Sequence, residues 1–175
     1  IEVARKSKLI NRVVVSTDSK KIGVTAKKYG AEIIMRPKNL ALDATPTLPV
    51  LRHAVKFLKE KDGYCPGIII LLQPPSPIRK AKEVDGAIKR LIDGKYNTLI
   101  SVCEDRHYYW EEGGGKLKPL FRLVRARKEQ RHEIRPKLRE TGSIYIMDIK
   151  TLMDKNQIFG KKIGWLKGNF FAYNP

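Results

Sequence analysis

The amino-acid sequence predicts an α/β fold in which helices cover both faces of a mainly parallel sheet. Short β-branched runs alternate with segments whose apolar residues recur at helical spacing through the first 102 residues, a pattern typical of parallel strands joined by helices. Hydrophobic residues make up 42% of the 175 residues, which excludes a disordered chain and suffices for one domain with a core. One apolar run also stops abruptly at a proline-rich loop, as expected at the carboxyl end of a strand.

The first predicted unit is a helix end, a strand and a second helix. Residues 1–10 are typical of the end of a helix with a basic face, and the β-branched run at residues 12–17 predicts a strand. Either Asp18 or Ser19 is suited to cap the helix that follows. Gly30 lies where that helix is expected to end, because glycine tolerates the left-handed conformation of a helix terminus.

Three further strands are predicted at residues 31–35, 67–72 and 98–102. The run at 67–72 is apolar throughout, which indicates a strand buried on both faces. The helices predicted between these strands have apolar residues at helical spacing. These residues are Val50, Leu51, Ala54, Val55 and Leu58 in the first helix, and Val84, Ala87, Ile88, Leu91 and Ile92 in the second.

The alternation breaks at residues 107–139. This segment contains an aromatic cluster, a three-glycine turn at residues 113–115 and a dense run of arginine and lysine. A strand at residues 143–147 and a short helix near 149–153 follow. We therefore expect residues 107–139 to leave the sheet as an arm or a subdomain.

The charge of the chain favours anionic partners. Lys and Arg number 36 against 18 Asp and Glu, a formal net charge of +18, which attracts nucleic acids, phosphates and carboxylates. No apolar run approaches the length of a membrane span, and we expect no membrane association. Cys65 and Cys103 have no CxxC partner, so free thiols in a cytoplasmic protein are expected. The histidines lack the spacing of metal ligands.

The loop at residues 73–79 is a candidate ligand site. It follows a predicted strand, and its three prolines make it stiff. Gln73, Ser76 and Arg79 offer an amide, a hydroxyl and a guanidinium group at low entropic cost. A proline-stiffened connection with solvated polar side chains explains the same residues equally well.

Six segments of the sequence, in order, resemble the acylneuraminate cytidylyltransferases, the CMP-sialic acid synthetases. Together they span most of the chain, and their order and spacing are more specific than any one segment. The segments are VVVSTD (13–18), AKKYGAE (26–32), RPxxLAxD (36–43), LLQPPSPIR (71–79), SVCE (101–104) and RETGSIY (139–145).

The resemblance implies a three-layer nucleotidyltransferase (Rossmann-like) fold in a single domain, residues 1–175, with an inserted dimerisation arm at about 107–139. It also implies a reaction in which the anomeric hydroxyl of a sialic acid or related nonulosonic acid attacks the α-phosphate of CTP. The products are a CMP-sugar and pyrophosphate, and Mg²⁺ assists. Both substrates are anionic, in keeping with the basic chain, and phosphoryl-type transfer depends mainly on positioning and charge neutralisation. A homodimer is expected.

The resemblance assigns Arg36, Thr45 and Thr47 to the nucleotide. From the residues alone, Arg36 is equally a surface arginine before a proline turn, and the two threonines are suited to cap the next helix. Arg131 matches the catalytic arginine of the arm, where a guanidinium can bind a phosphate bidentately. If the alignment shifts within the insertion, Arg127 takes that role, and any single arginine there is also a candidate solvated charge.

Five positions match residues that contact the sugar acid: Gln73, Ser76, Tyr145, Phe159 and Arg139. Tyr145 is equally explained as a core tyrosine of a strand. Pro75 stands where the family usually has threonine, which leaves the identity of the sugar open. His132 replaces a family glutamine, and Ile158 replaces a second phenylalanine beside Phe159.

Two family elements are missing from the sequence. The first strand with its phosphate-binding loop is expected before Ile1, and the acidic Asp-x-Asp motif that holds Mg²⁺ is expected after Pro175, so no metal ligand is assigned within the chain. The alternatives are a 3-deoxy-manno-octulosonate cytidylyltransferase, a relative that only dimerises, and a non-catalytic basic nucleic-acid-binding protein. Residues 122–139 contain no aromatic side chain for base stacking, so we do not expect nucleic acid as a partner.

Overall fold

The computed structural model describes residues 1–120, 133 and 135–168. This part of the chain alternates helices and strands up to β4, then forms a hairpin, and ends with two strands around a short helix. The elements are α1 (Glu2–Arg5), β1 (Val14–Thr17), α2 (Lys20–Lys28), β2 (Glu32–Met35), a 3₁₀ turn (Lys38–Leu40), α3 (Thr47–Asp62), β3 (Ile68–Leu71), α4 (Ala81–Asp93), β4 (Thr98–Asp105), β5 (Trp110–Gly113), β6 (Lys116–Pro119), β7 (Lys137–Asp148), α5 (Ile149–Met153) and β8 (Ile163–Lys167).

The central sheet has four strands in the order β3-β7-β4-β8. β4 runs parallel to β8, whereas β7 runs antiparallel to both of its neighbours, β3 and β4. Three of the four strands therefore point the same way, and the predicted mainly parallel sheet is confirmed. β7, which ends the 107–139 segment, is the exception, because it runs antiparallel to both β3 and β4.

A second sheet consists of β1 and β2, which are parallel and joined by α2. The helix begins at Ser19, whose hydroxyl accepts a hydrogen bond from the backbone N–H of Ile22 at 3.3 Å. It ends before Gly30, which has a φ of +82°. Of the two predicted caps, the structure uses Ser19, and the predicted role of Gly30 is confirmed.

Arg12 ties this two-stranded sheet to the end of α3. Its Nε donates to Glu32 Oε1 at 2.7 Å, and its Nη2 lies 2.9 Å from Asp62 Oδ2. The shared guanidinium is the main cause that lowers the pKa of both carboxyl groups. All three side chains are partly exposed, so this joint fixes orientation more than it adds stability.

Helices pack on both faces of the four-stranded sheet. On the first face, α4 packs against alternate residues of β4 and β7. On the second face, α3 and α5 pack against the intervening residues of β7, because successive side chains of a strand point to opposite sides. The first core consists of Val84, Ala87, Ile88, Leu91, Leu99, Ile144 and Ile146, and the second is centred on Val55, Met147 and Leu152. The three-layer arrangement predicted from the sequence is therefore confirmed.

β7 is longer than the strand predicted at residues 143–147, because it starts at Lys137. Its pairing with β4 is interrupted by a bulge, since the register shifts between Ile100 and Val102. Gly142 lies at this bulge with a φ of +67°, a conformation that glycine adopts without strain. The residues before the bulge are mostly polar and exposed, so they carry no apolar strand pattern.

The 107–139 segment begins with a hairpin of β5 and β6. Trp110 pairs with Pro119 and Gly113 with Lys116. Gly114 and Gly115, both with positive φ, make the turn. Trp110 and Leu117 of this hairpin are exposed. Within residues 1–120, 133 and 135–168, none of the helices combines the length and hydrophobicity needed to cross a membrane.

Replacing Ile146 with alanine tests the packing of the central strand. Ile146 is a fully buried residue of β7 that packs against α4. Ile146→Ala is therefore expected to lower the free energy of unfolding by about 2–5 kcal/mol, because apolar contacts are lost and a cavity is left. Ile163→Ala removes the same atoms from the edge strand β8, where the side chain is 47% exposed. That control is expected to cost under about 1 kcal/mol. Equal losses in urea denaturation would contradict the assigned core.

Candidate functional site

A cavity of about 880 Å³ lies between β1 and β3. β1 pairs only with β2, and β3 pairs only with β7, among the strands of the described residues. The cavity therefore separates the two sheets, and the facing strand edges present backbone groups to it. Because one edge of β3 faces this space, its residues are only partly buried, whereas the sequence predicted a strand buried on both faces.

Polar side chains reach this cavity from the carboxyl ends of three strands. Ser16 lies near the end of β1, Arg36 follows β2, and Gln73 follows the end of β3. Thr45 and Thr47 also line the cavity, just before and at the start of α3. The structure thus brings the three residues predicted to bind nucleotide together with Gln73, which was predicted to bind sugar.

Arg36 keeps unused hydrogen-bond donors at the cavity. Its backbone N–H donates to the Thr17 carbonyl at 3.0 Å and extends the pairing of β1 with β2. Its Nη2 lies 4.0 Å from Asp18 Oδ1, a loose ion pair. Its Nε is buried and has no partner in the part of the chain that is described. A buried guanidinium nitrogen without an acceptor is costly, so the geometry is suited to an incoming anion.

Thr45 and Thr47 lie at the start of a long helix. The Thr45 hydroxyl donates to the Asn39 carbonyl at 3.4 Å. Pro46 occupies the N-cap position of α3, and no side chain caps the helix there. The capping role that the sequence also allowed for these threonines is therefore absent. An uncapped helix N-terminus carries partial positive charge, which favours an anion nearby.

Ser16 is a candidate site residue that the sequence analysis did not select. Its hydroxyl is buried, lines the cavity, and has no hydrogen-bond partner within the described residues. The rule that drew attention to Gln73, a polar residue at the carboxyl end of an apolar strand, applies equally to Ser16.

The proline-rich loop after β3 is fixed by hydrogen bonds at several points. The Ser76 backbone N–H donates to the Gln73 carbonyl at 3.3 Å, and Arg79 Nη2 donates to the same carbonyl at 2.6 Å and to the Ser76 carbonyl. The Ser76 hydroxyl is buried and donates to the Thr141 carbonyl of β7 at 3.2 Å. Ser76 thus holds the loop against the sheet and does not line the cavity.

Buried hydroxyl groups of β4 and β7 form hydrogen bonds next to the strand residue that anchors this loop. Ser101 Oγ and Thr141 Oγ1 lie 2.7 Å apart, and Ser101 Oγ accepts the backbone N–H of Ile144 at 2.9 Å. A Cβ atom on Gly142 would lie 3.3 Å from Gln73 Oε1. The bulge of β7 and the side chain of Gln73 are therefore packed against each other.

Tyr145 lies beside the loop and also packs in the core. It pairs with Leu71 across the sheet and contacts the cluster around Val55 and Met147. Its hydroxyl donates to Glu140 Oε2 at 2.9 Å. Burial, reinforced by this hydrogen bond, raises the pKa of Tyr145 to about 12, so the phenol is protonated at neutral pH and acts as a donor. The core role that the residues alone suggested is present, and its contact with sugar stays a prediction.

Arg139 is engaged at the base of the 107–139 segment. Its Nε lies 3.4 Å from Asp105 Oδ2. The buried Asp105 carboxylate also accepts from the Tyr109 hydroxyl and from the backbone N–H of His107. The bond from Tyr109 is the largest of the effects that lower the pKa of Asp105 to about 2. Arg139 does not line the cavity, and its contact with sugar stays a prediction.

Phe159 lies apart from the other predicted sugar residues. It follows α5 and is 44% exposed. The carbonyl of its neighbour Ile158 accepts from the Thr98 hydroxyl at the start of β4. Since β3 and β4 run in the same direction, this places Phe159 near the amino ends of the strands, whereas Gln73 follows a carboxyl end. The structure does not bring the two together. Arg131, the predicted catalytic residue, lies outside the described residues.

No group of three His, Cys, Asp or Glu side chains in the described ranges is arranged to hold a metal ion. These residues therefore do not supply the carboxylate set that Mg²⁺ prefers.

Comparison with known proteins agrees with the fold. The sequence profile of the cytidylyltransferase family matches residues 1–135. N-acylneuraminate cytidylyltransferase of Escherichia coli O18:K1:H7 is 33% identical over 104 residues, which cover 58% of this chain. The CMP-N,N'-diacetyllegionaminic acid synthase of Campylobacter jejuni is 31% identical over 173 residues, 92% of this chain. The matches span 23% of the E. coli protein and 69% of the C. jejuni protein.

Two solved structures share the fold at low sequence identity. A structure of CMP:2-keto-3-deoxy-manno-octonic acid synthetase with CTP superposes with a TM-score of 0.63 at 14% identity, covering 95% of this chain and 76% of that one. The 4-diphosphocytidyl-2C-methyl-D-erythritol synthase of Anaerococcus prevotii gives 0.61 at 12% identity, covering 99% and 78%. These likenesses establish the nucleotidyltransferase-type α/β fold. With the profile match over residues 1–135 and the C. jejuni relative, they lead to one conclusion: the chain belongs to the cytidylyltransferase family.

Proposed function

We propose that this protein transfers CMP from CTP to the anomeric hydroxyl of a sialic acid or a related nonulosonic acid, with release of pyrophosphate. The observation that carries the proposal is the cavity at which Arg36, Thr45, Thr47 and Gln73 meet, in a chain of the cytidylyltransferase family. The E. coli and C. jejuni relatives, an N-acylneuraminate cytidylyltransferase and a CMP-N,N'-diacetyllegionaminic acid synthase, support a nonulosonic acid as acceptor.

The nucleotide is proposed to bind at Arg36, Thr45 and Thr47. Among the described residues, the buried Nε of Arg36 has no hydrogen-bond partner, and a guanidinium can donate two parallel hydrogen bonds to a phosphate. The threonines add neutral hydroxyl groups beside the positive end of α3. Ser16 is proposed as a fourth contact, because its buried hydroxyl also has no partner in the described part of the chain.

The sugar acid is proposed to bind at the loop after β3, beside the nucleotide. Gln73 offers an amide at the cavity. The Tyr145 hydroxyl donates its proton to Glu140, so it can offer the sugar acid only an acceptor oxygen. Ser76, Arg139 and Phe159 stay predicted sugar contacts, although Ser76 and Arg139 are already bonded to other groups. Pro75 offers no hydrogen bond, so we propose a sugar that is recognised without a contact at that position.

In the proposed reaction the anomeric oxygen forms a bond to the α-phosphorus, and the bond from that phosphorus to the bridging oxygen of pyrophosphate breaks. The hydroxyl proton is lost to solvent or to a base. Negative charge builds on the departing pyrophosphate, and a cation placed there lowers the barrier. We propose that Arg131 supplies this cation, from the arm of a partner subunit. Mg²⁺ is proposed to assist through ligands outside the described residues.

The active protein is also proposed to contain a strand between β1 and β3 that the described residues do not supply. In support, neither facing edge has a strand partner within the described residues, and the space between the edges is lined by apolar side chains such as Val14 and Ile69. An unpaired strand edge in apolar surroundings leaves backbone groups without hydrogen bonds. The proposal places the family's first strand and phosphate loop in this gap.

A cytoplasmic homodimer is proposed as the working form. Cys65 and Cys103 are both free thiols, which suits a reducing compartment. The exposed Trp110 and Leu117 of the hairpin favour an interface at the arm, since interfaces are rich in aromatic side chains. A 3-deoxy-manno-octulosonate acceptor is the outcome to expect if nonulosonic acids fail as substrates.

Binding of CTP provides the first test. Calorimetry with CTP, UTP and ATP, on protein that includes every segment needed for activity, is expected to show preference for CTP. Arg36→Ala is expected to weaken CTP binding by about 1.5–3 kcal/mol through loss of a charge-assisted bond. Arg90→Ala is the matched control, because Arg90 is an exposed residue of α4 whose guanidinium lies over the Trp165 ring. Equal affinity for the three nucleotides, or equal losses in the two variants, would refute the assignment.

Sedimentation tests the arm. The native protein is expected to be a dimer at micromolar concentration, because burial of the exposed apolar side chains of the hairpin at an interface is favourable. Replacing residues 110–135 with a short Gly-Ser linker is expected to give a folded monomer. This deletion removes β5 and β6 but keeps every described helix and β7, which begins at Lys137. A retained helical signal in circular dichroism therefore serves as the control. A native monomer at that concentration would exclude dimerisation through the arm.

Steady-state kinetics test Arg131. If its guanidinium acts in the transition state, Arg131→Lys lowers kcat more than it raises KM for either substrate. Removal by Arg131→Ala is expected to lower the rate by about 10²–10³. Near-native turnover of Arg131→Ala would show that Arg131 is a solvated charge without a catalytic role. The turnover of Arg127→Ala and Arg139→Ala would then be measured.

A further inference from the structure

We propose that Arg79 is a positioning residue: its guanidinium holds the proline-rich loop so that Gln73 faces the sugar acid. The inference rests on the proposed function, because it assigns the loop a role in binding that substrate. Arg79 itself does not line the cavity. An effect on sugar binding therefore has to pass through the loop.

The contacts of Arg79 are made to the loop backbone. Its Nη2 donates to the Gln73 carbonyl at 2.6 Å and also to the Ser76 carbonyl. One nitrogen therefore joins the two ends of the segment 73–76. The side chain closes the loop much as a backbone N–H closes a turn.

The loop has few hydrogen-bond donors of its own. Pro74, Pro75 and Pro77 lack backbone N–H groups. Among the described residues, the one backbone hydrogen bond across the segment runs from the Ser76 N–H to the Gln73 carbonyl, and at 3.3 Å it is long. Loss of Arg79 would leave the Gln73 carbonyl with that bond alone and the Ser76 carbonyl without its donor.

Arg79 has a costly electrostatic environment. Burial lowers the pKa of Arg79, and no carboxylate of the described residues forms an ion pair with it. An arginine remains protonated in a protein, so a half-buried cation is held here by carbonyl dipoles. Burying a charge without an ion-pair partner is costly. A neutral side chain could fill the same space beside the loop at a lower desolvation cost. The guanidinium is therefore better explained by its hydrogen bonds to the loop.

Gln73 is sensitive to the position of this loop because it is tightly packed. The space for its Oε1 is provided by Gly142, where a Cβ would come within 3.3 Å. The Ser76 hydroxyl anchors the other end of the segment on the Thr141 carbonyl. A shift at the Gln73 carbonyl therefore moves the Gln73 amide, while Ser76 stays fixed to β7. Misplacement of a binding group by about 1 Å is enough to cost about 10²-fold in an enzyme.

The kinetic test uses Arg79→Gln and Arg79→Lys in the complete enzyme, with Arg90→Gln as the matched control. Arg79→Lys retains the charge but loses the planar donor fork. Both Arg79 variants are expected to raise KM for the sugar acid by about tenfold, which corresponds to loss of one hydrogen bond to a charged group. KM for CTP is expected to change by less than about twofold. Equal changes in the two KM values would overturn the inference, since they indicate a general structural defect.

A second measurement does not depend on activity. Amide hydrogen exchange, followed by NMR, is expected to be about tenfold faster at Ser76 in Arg79→Gln than in the native protein, and unchanged at the core residues Leu99 and Ile146. Unchanged exchange at Ser76 overturns the inference even if the native protein transfers no CMP. A native protein without CTP-dependent transfer refutes the proposed function. Faster exchange at Ser76 in that protein still supports the loop-holding role of Arg79.

Discussion

The arrangement of β7 is the constraint on which most of this structure depends. β7 is the only strand of the four-stranded sheet that runs against the others, and it pairs with both β3 and β4. Its alternate residues supply both cores, Ile144 and Ile146 on one face and Met147 on the other. Its bulge carries Thr141, whose carbonyl anchors Ser76. The same strand thus builds the layers and fixes the loop beside the cavity.

The candidate site is assembled by strand ends rather than by any one segment. Arg36, Ser16 and Gln73 follow or end three different strands, and they reach the same cavity because these strands deliver their carboxyl ends to it. Two of the three keep buried polar atoms without partners in the described structure. Buried polar atoms without hydrogen-bond partners, next to an apolar cavity, are typical of a binding site for a polar ligand.

Much of the fold was predictable because local pattern and tertiary packing agree. The cap at Ser19, the turn at Gly30 and the apolar stripe of α4 each follow from residue chemistry. The antiparallel direction of β7 was not predictable, since it depends on the path of the 107–139 segment. The polar start of β7 was also missed, because its residues pair with β4 beyond the packed cores. The strand-end rule selected Gln73 and the family resemblance selected Arg36. The ion pair of Arg139 with Asp105 could be found only in the folded chain.

The bulge at Gly142 marks the point where the central sheet narrows. Before it, residues 137–140 of β7 pair with residues 102–105 of β4. Among the described residues, the pairing of β8 with β4 ends at Val102, and the pairing of β3 with β7 begins only at Tyr145. A two-stranded ribbon twists more strongly than the strands of a wider sheet. The Gln73 side chain packs against Gly142, so the loop after β3 contacts the sheet where its wide part gives way to this ribbon.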